Sequence, residues 1–298
     1  LVGHDLLPVT LTAYVHGEEA TGLTYRWDFN NDGTWDVVES DKAIVTNVFG
    51  LGRHTVRLEV ENHLAETVQV LKINYIHVSP SEIYVWSGGN HTTGDSWSRA
   101  FTNIQTAIDE CIGTNVIYLA GQVFDVQTNL IWSGQKSVRI QGGYEATNSP
   151  SGPGPRDPVR WPTVIRRIGS LNFRVLDAAF LTDCVLDGVT IANGNTPTFS
   201  DVGHGGGMRL VSSILTINDC VFTNNVLNVT YNAYGYGGGL YSGNSTLTVA
   251  RTLFILNRSR GLASANNNRA HGGGLAVENG ALTLLNSRFL YNDADAVG

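Results

Sequence analysis

The segments His204–Asn225 (HGGGMRLVSSILTINDCVFTNN), Tyr236–Asn257 (YGGGLYSGNSTLTVARTLFILN) and His271–Asn292 (HGGGLAVENGALTLLNSRFLYN) are three copies of one unit. Counted from the first glycine of each triplet, a leucine lies ten residues on, at Leu215, Leu247 and Leu282. A phenylalanine lies seventeen on (Phe222, Phe254, Phe289) and an asparagine twenty on (Asn225, Asn257, Asn292). The copies start 32 and then 35 residues apart, and the difference falls wholly in the connecting segments. A fixed internal register with elastic connections is the pattern of a solenoid coil, each coil stacked on the last at about 4.8 Å. Leucine and phenylalanine are then expected to form ladders inside the tube. The asparagines are expected at a turn, where Asn tolerates left-handed φ and can hydrogen-bond its equivalents above and below. The glycine triplet marks a bend with no room for side chains.

Strand-like runs continue upstream of the repeats, among them NVIYLAG from residue 115, SVRIQGG from 137 and PTVIRRIG from 162. Before them, IYVWSGGNHTTGDSWSRAFTNIQTAIDECI opens with a strand and a Gly-rich turn. It then carries the best helix candidate of the chain, with Phe101, Ile104, Ala107, Ile108, Cys111 and Ile112 on one face. The repeated units resemble a right-handed parallel β-helix. The opening segment is similar to the N-terminal cap of pectate-lyase-like β-helices, where an amphipathic helix closes the open end. The pairing of GGGM or GGGL with FTNN, FILN and FLYN resembles the Gly-Gly-x-x and Phe-x-x-Asn repeats of chlamydial-type polymorphic outer membrane proteins. These resemblances imply a bacterial, secreted or cell-surface setting. They do not choose a function, because β-helices host many. The last copy runs into YNDADAVG with no polar capping element. The expectation is that the solenoid continues or meets another subunit there.

Residues 1–78 follow a different pattern, with short alternating runs at Val9–Val15, Leu23–Phe29, His54–Asn62 and Glu66–Ile76. The stretches YRWDFNNDG (Tyr25–Gly33) and FGLGRHTVRLEVEN (Phe49–Asn62) resemble the polycystic-kidney-disease (PKD) domain, an immunoglobulin-like extracellular module. The segment Ile76–Glu82 reads as a linker, with Pro80 ending the last strand. The predicted organisation is all-β: an immunoglobulin-like sandwich over 1–78, then a right-handed parallel β-helix with an N-terminal capping helix over 79–298.

Within the first unit, WDFNNDGTWDVVE (Trp27–Glu39) satisfies the EF-hand loop spacing from Asp28 onward. Strand-like flanks exclude a helix–loop–helix. Two readings remain. One is a calcium-binding β-turn using Asp28, Asn30, Asp32 and Asp36 side chains with a Thr34 carbonyl, and Glu39 as the ligand most dependent on an EF-hand path. The other is an Asp/Asn-Gly turn whose side chains cap backbone N–H groups.

Other chemistry is sparse. HGGG at His204 and His271 matches a lipase oxyanion tetrapeptide, but Tyr236 replaces His in the middle copy and no G-x-S-x-G is present. A surface stack of His204, Tyr236 and His271 is the better reading. Aligning copies on the phenylalanines brings Asp187, Asp219 and Arg251 to neighbouring coils, read as an outer-face ion pair rather than a lyase centre. The three cysteines fall at non-equivalent positions, so they read as buried thiols. Sequons at Asn90, Asn228, Asn244 and Asn257 are close to chance in so Asn-rich a chain.

Charged residues are 15% of the 298, net charge is −7, and no basic run occurs, which argues against nucleic acid as a partner. No apolar run is long enough for a transmembrane segment. The sequence therefore predicts a non-catalytic extracellular structural or adhesive protein, whose partners are other copies, further domains of the same chain, or surface glycans. Two alternatives stand beside it: a polysaccharide lyase or hydrolase, and a carbohydrate-binding protein using Tyr231, Tyr234, Tyr236 and Tyr241.

Overall fold

The computed structural model describes residues 1–16, 22–40, 42–147, 152–197, 202–229, 234–261 and 269–295. The chain divides into two units, Leu1–Ser81 and Glu82–Gly298.

In the first unit a five-stranded sheet has the order Val2–His4, Thr67–Ser79, Gly52–Glu61, Thr24–Asp28, Val37–Ser40. A two-stranded antiparallel sheet, Leu7–Thr12 with Ile44–Phe49, packs on it. Alternation places Val9 and Leu11 inward from one sheet and Tyr25 and Trp27 from the other, around Phe29, Phe49, Val56 and Ile76. The expected linker is corrected here. Ile76 and Val78 are core residues, and the strand runs on to Ser79, with Ile76–Val78 paired to Gly52–His54 on one side and His77–Ser79 to Val2–His4 on the other. Glu82 already opens the first strand of the second unit. The strands Val37–Ser40 and Ile44–Phe49 lie in the stretch that the periodicity left unassigned.

The second unit is a right-handed parallel solenoid. Its largest sheet stacks seven strands in chain order, from Glu82–Val85 through Cys184–Asp187, Ile214–Asn218 and Thr246–Ala250 to Ala281–Leu285. Sheets of six and five strands form two further faces. Leu215 pairs with Leu247 and Leu247 with Leu282, a register that holds coil after coil. Inside, the rings of Phe222, Phe254 and Phe289 stack 4.9 and 4.7 Å apart, tilted by 7° and 2°. The helix spans only Ile104–Glu110, capped by Asn103, whose carboxamide oxygen accepts from the Thr106 N–H at 2.9 Å. Phe101, Cys111 and Ile112 thus lie outside it, although Phe101 and Cys111 remain buried beside Ile104 and Ile108. So short a helix persists by packing its apolar face, not by propensity.

The coil corners are single residues in the left-handed region. Ser212, Asn244 and Asn279 form one corner, with φ of 48–50°. Asp219, Arg251 and Asn286 form another, at 49–50°.

The asparagines are the polar heart of the solenoid. Asn225 and Asn257 are fully buried. Asn225 Nδ2 donates to Asn257 Oδ1 at 2.9 Å and to the Ile191 carbonyl at 3.0 Å. Asn257 Nδ2 donates in the same way to Asn292 Oδ1 (2.9 Å) and the Phe222 carbonyl (2.8 Å). The backbone N–H of each donates to the carboxamide oxygen of the next. The glycine triplet lies against this ladder. A Cβ on Gly207 would meet the Asn225 side chain at 2.6 Å, and one on Gly206 would run into the Gly238 carbonyl.

Asn257→Leu would strand the N–H groups of Asn225 and the Phe222 carbonyl in a dry interior. It is expected to cost about 3 kcal/mol, since each buried unsatisfied group costs ~1–3 kcal/mol. Urea denaturation followed by circular dichroism checks this.

Candidate functional site

A polar cluster of the solenoid sits at the corner that the glycine triplets turn. His204, Tyr236 and His271 occupy one register position on three successive strands. Their rings stack at 6.0 and 5.0 Å with tilts of 21° and 14°. Tyr241, on the strand after the glycines, brings its ring to 3.9 Å from His204 and is itself buried. Its hydroxyl donates to Glu278 at 2.8 Å. Asp177, Arg209 and Tyr241 share a register position across three strands. Arg209 grips Asp177 through Nε and Nη2 at 2.8 and 3.0 Å, and Arg174 donates to the same carboxylate at 3.2 Å. Burial pushes the Tyr241 phenol up, with the Glu278 hydrogen bond adding to the effect. Burial pulls the His204 imidazole below its ordinary value; Arg174 and Arg209 act with it and Glu278 opposes.

Sequence reasoning found the histidines and tyrosines but missed Arg174, Asp177, Arg209 and Glu278. The available signal was position: Arg209 and Tyr241 both lie four residues after the first glycine of their triplets. The arrangement offers hydrogen-bonding groups and aromatic edges to a ligand. Asp177 and Glu278 lie three strands apart, roughly 14 Å at ~4.8 Å per strand. A glycosidase pair needs about 5–9.5 Å. The stacked rings face one another, so they do not present a flat aromatic platform. Tyr234 lies apart from the stack, with Arg269 over its ring at 5.5 Å, and Tyr231 lies outside the described residues.

The remaining candidates lie outside this cluster. Asp219 and Arg251 form an exposed bidentate pair at 2.7–2.8 Å, while Asp187 pairs with Arg156 at 2.6 Å. Cys111, Cys184 and Cys220 are free and buried. Burial pushes the thiols of Cys111 and Cys220 up to about 12, so neither is a ready nucleophile.

In the first unit, the acidic loop is closed by its own side chains. Asp28 is fully buried; its Oδ1 accepts from the N–H groups of Asn30 and Asp32 (3.3 Å each) and its Oδ2 from Gly33 (3.1 Å). Asp36 accepts from the Phe29 N–H at 2.6 Å. Asn30 Oδ1 accepts from Asp32 N–H, and Asp32 Oδ1 from Thr34 N–H at 2.8 Å. That last bond, with the Asn30 carboxamide, holds the Asp32 carboxyl below the usual range. Asn31 and Gly33 take the left-handed turns, with φ of 56° and 90°. Glu39 stands apart, in the strand Val37–Ser40, paired with Lys42 at 2.8 Å. Among the described residues no three His, Cys, Asp or Glu side chains converge as a metal cage. The loop oxygens as arranged accept from backbone N–H groups, and a carboxylate oxygen that accepts one N–H keeps a lone pair for a second partner.

Residues 2–74 match the model of the PKD domain family. No curated protein and no solved structure matches the chain significantly. The PKD domain therefore carries the Asp28 loop as the connection between two of its strands, Thr24–Asp28 and Val37–Ser40.

Asp28→Ala should destabilise the PKD domain by about 2 kcal/mol, because several loop N–H groups lose a buried acceptor. Calcium and EDTA separate the two readings of the loop: a calcium-dependent rise in melting temperature marks a cation site, and an unchanged melting temperature marks the self-capped turn. In the solenoid, the unfolded chain takes up a proton at His204 before the native one does. Stability should therefore fall as pH drops through the ordinary histidine range. His204→Tyr, the residue of the middle copy, should flatten that part of the pH profile in thermal melts.

Proposed function

We propose that this chain works as an extracellular structural or adhesive element, in which the solenoid is a stiff rod and the PKD domain a spacer or contact module. The observation that carries this reading is the pairing of equivalent side chains along the solenoid axis. Asn meets Asn, Phe meets Phe, and Asp219 meets Arg251 one coil on. Such ladders use side chains to hold coils together, whereas a catalytic centre needs different side chains brought to one point. The sheets of the solenoid enclose an interior filled by residues such as Ile117, Ile140, Leu186, Ile217 and Val249, which favours stiffness over a channel or cavity. Among the described residues no helix is long and apolar enough to cross a membrane. Leu282, Leu284 and Phe289 in the final described coil are 40–43% exposed. They supply an apolar surface against which another coil, of this chain or another copy, can stack.

A second reading, glycan binding, is favoured by one feature: an open polar groove of about 530 Å³ that includes Arg167, Asn193, Asn195, Asn228 and Arg260. Asn228 Nδ2 donates to Asn195 Oδ1 at 2.7 Å, leaving a fixed row of amide groups along the groove. The two readings separate in one experiment. Incubated with polygalacturonate, hyaluronan and xylan, the full chain should bind weakly or not at all and release no new reducing or unsaturated ends. Turnover would overturn the structural reading. Saturable binding lost in Arg260→Ala would favour the glycan one.

A further inference from the structure

The three long sheets of the solenoid turn different side chains outward. On the seven-stranded sheet, Thr216, Thr248 and Thr283 share an outward register position. On the five-stranded sheet, Asp177 and Arg209 share one. The six-stranded sheet is different. Its strands Thr163–Arg167, Val189–Ala192, Val221–Thr223 and Leu253–Ile255 send Ile165, Ile191, Phe222 and Phe254 into the core. Val164, Thr190, Val221 and Leu253 then form one outward column, and Ala192, Thr223 and Ile255 stand in a second. Over the last three of these strands the outward face carries no charge. All of these outward side chains except Ala192 are partly exposed.

A parallel sheet is ordinarily covered on both faces, and near-continuous apolar strands such as Leu253-Phe254-Ile255 are the mark of one that is. Here the core covers the inner face, while among the described residues nothing buries the outer one. The register passes from strand to strand without a shift, so the face is even and offers no cleft to a small molecule. What fits an even apolar sheet is another sheet at about 10 Å. The face is also complementary to itself. With a two-fold axis laid in the interface along Val221–Thr223, strand order reverses between the two copies. Thr190 and Ala192 of one copy then lie opposite Leu253 and Ile255 of the other, small against large. Val221 and Thr223 meet their own equivalents, as a closed two-fold contact requires.

We propose that a second copy of this chain docks on this face, sheet on sheet, with the two solenoid axes antiparallel. Four strands at ~4.8 Å make the apolar face roughly 20 Å long, a footprint well below the ~800 Å² per partner of a standard interface. The pair is therefore weak in free solution. It gains where many rods are held on one surface and their effective concentration is high. Asp125 and Arg166 border the apolar strip and are paired with each other at 2.6 Å, so they leave no unanswered charge beside it. The inference rests on the structural reading of the solenoid and gives that rod a lateral partner.

The test is sedimentation velocity on the full chain from about 5 to about 500 µM, a range suited to a small, weak interface. A reversible monomer–dimer equilibrium is expected. Val221→Arg, at a partly exposed outward position, should keep the melting temperature and weaken the dimer by about tenfold or more, since it buries an unpaired guanidinium at the axis. Thr223→Cys sets equivalent thiols across the axis, and mild oxidation with diamide should link the copies. Thr216→Cys, outward on the neighbouring sheet, should not link them, and the native thiols are buried. A chain that stays monomeric at about 500 µM, the upper end of that range, would overturn the proposal. So would a dimer that Val221→Arg leaves intact, or equal cross-linking from Thr216→Cys. Each of these outcomes leaves the structural reading standing, because that reading falls only to turnover of a glycan.

Discussion

Each coil of a parallel solenoid has its backbone groups answered by the coils beside it, and at the corners this becomes hardest. The chain meets the difficulty by setting a buried asparagine against a glycine triplet. The carboxamide of Asn257 accepts from Asn225 and donates to Asn292 and to the carbonyl of Phe222. That geometry needs the facing backbone to come close, and a Cβ on Gly207 would close the space that Asn225 occupies. Glycine and asparagine therefore recur together in the repeat because they are two halves of one contact. The phenylalanine three residues earlier presents its carbonyl to that ladder and its ring to the interior stack, so one short motif serves both polar and apolar packing.

The same axial repetition shapes what chemistry the solenoid can carry. Positions one coil apart are neighbours, so like meets like or a charge meets its opposite. Exceptions arise where the repeats differ. Asp177, Arg209 and Tyr241 share a register position yet are three different residues, and with His204 and Glu278 they make a varied polar patch. Even there the groups are mostly engaged with one another: Asp177 with two guanidinium groups, Glu278 with a phenol, and His204 with the rings of Tyr236 and Tyr241. The patch can offer a partner shape and hydrogen bonds. It does not bring a carboxylate pair to bear on one bond.

The Asp28 loop shows how a spacing pattern underdetermines its use. The order Asp28, Asn30, Asp32, Gly33, Asp36 serves a cation cage and a self-capped turn equally well, since both need oxygen atoms directed at the inside of a tight loop. Where the chain enters and leaves decides only the frame around the loop. Here strands enter and leave, Asp28 is buried under the turn, and Glu39 is carried into a strand next to Lys42.

By itself the sequence determined the all-β class, the coil register and the PKD likeness, because each is written in local spacing: period two in strands, and Gly, Phe and Asn at fixed offsets in the repeats. A register repeated three times leaves little freedom in how coils can stack. The tertiary structure alone decided the rest. It carried the strand through Ile76–Ser79, where a linker was expected, by pairing it with residues some seventy-five positions away. It gathered Arg174, Asp177, Arg209 and Glu278 at one corner. Those outcomes depend on contacts between residues far apart in the chain and on which strand ends up at an edge, and neither leaves a periodic trace in the order of residues.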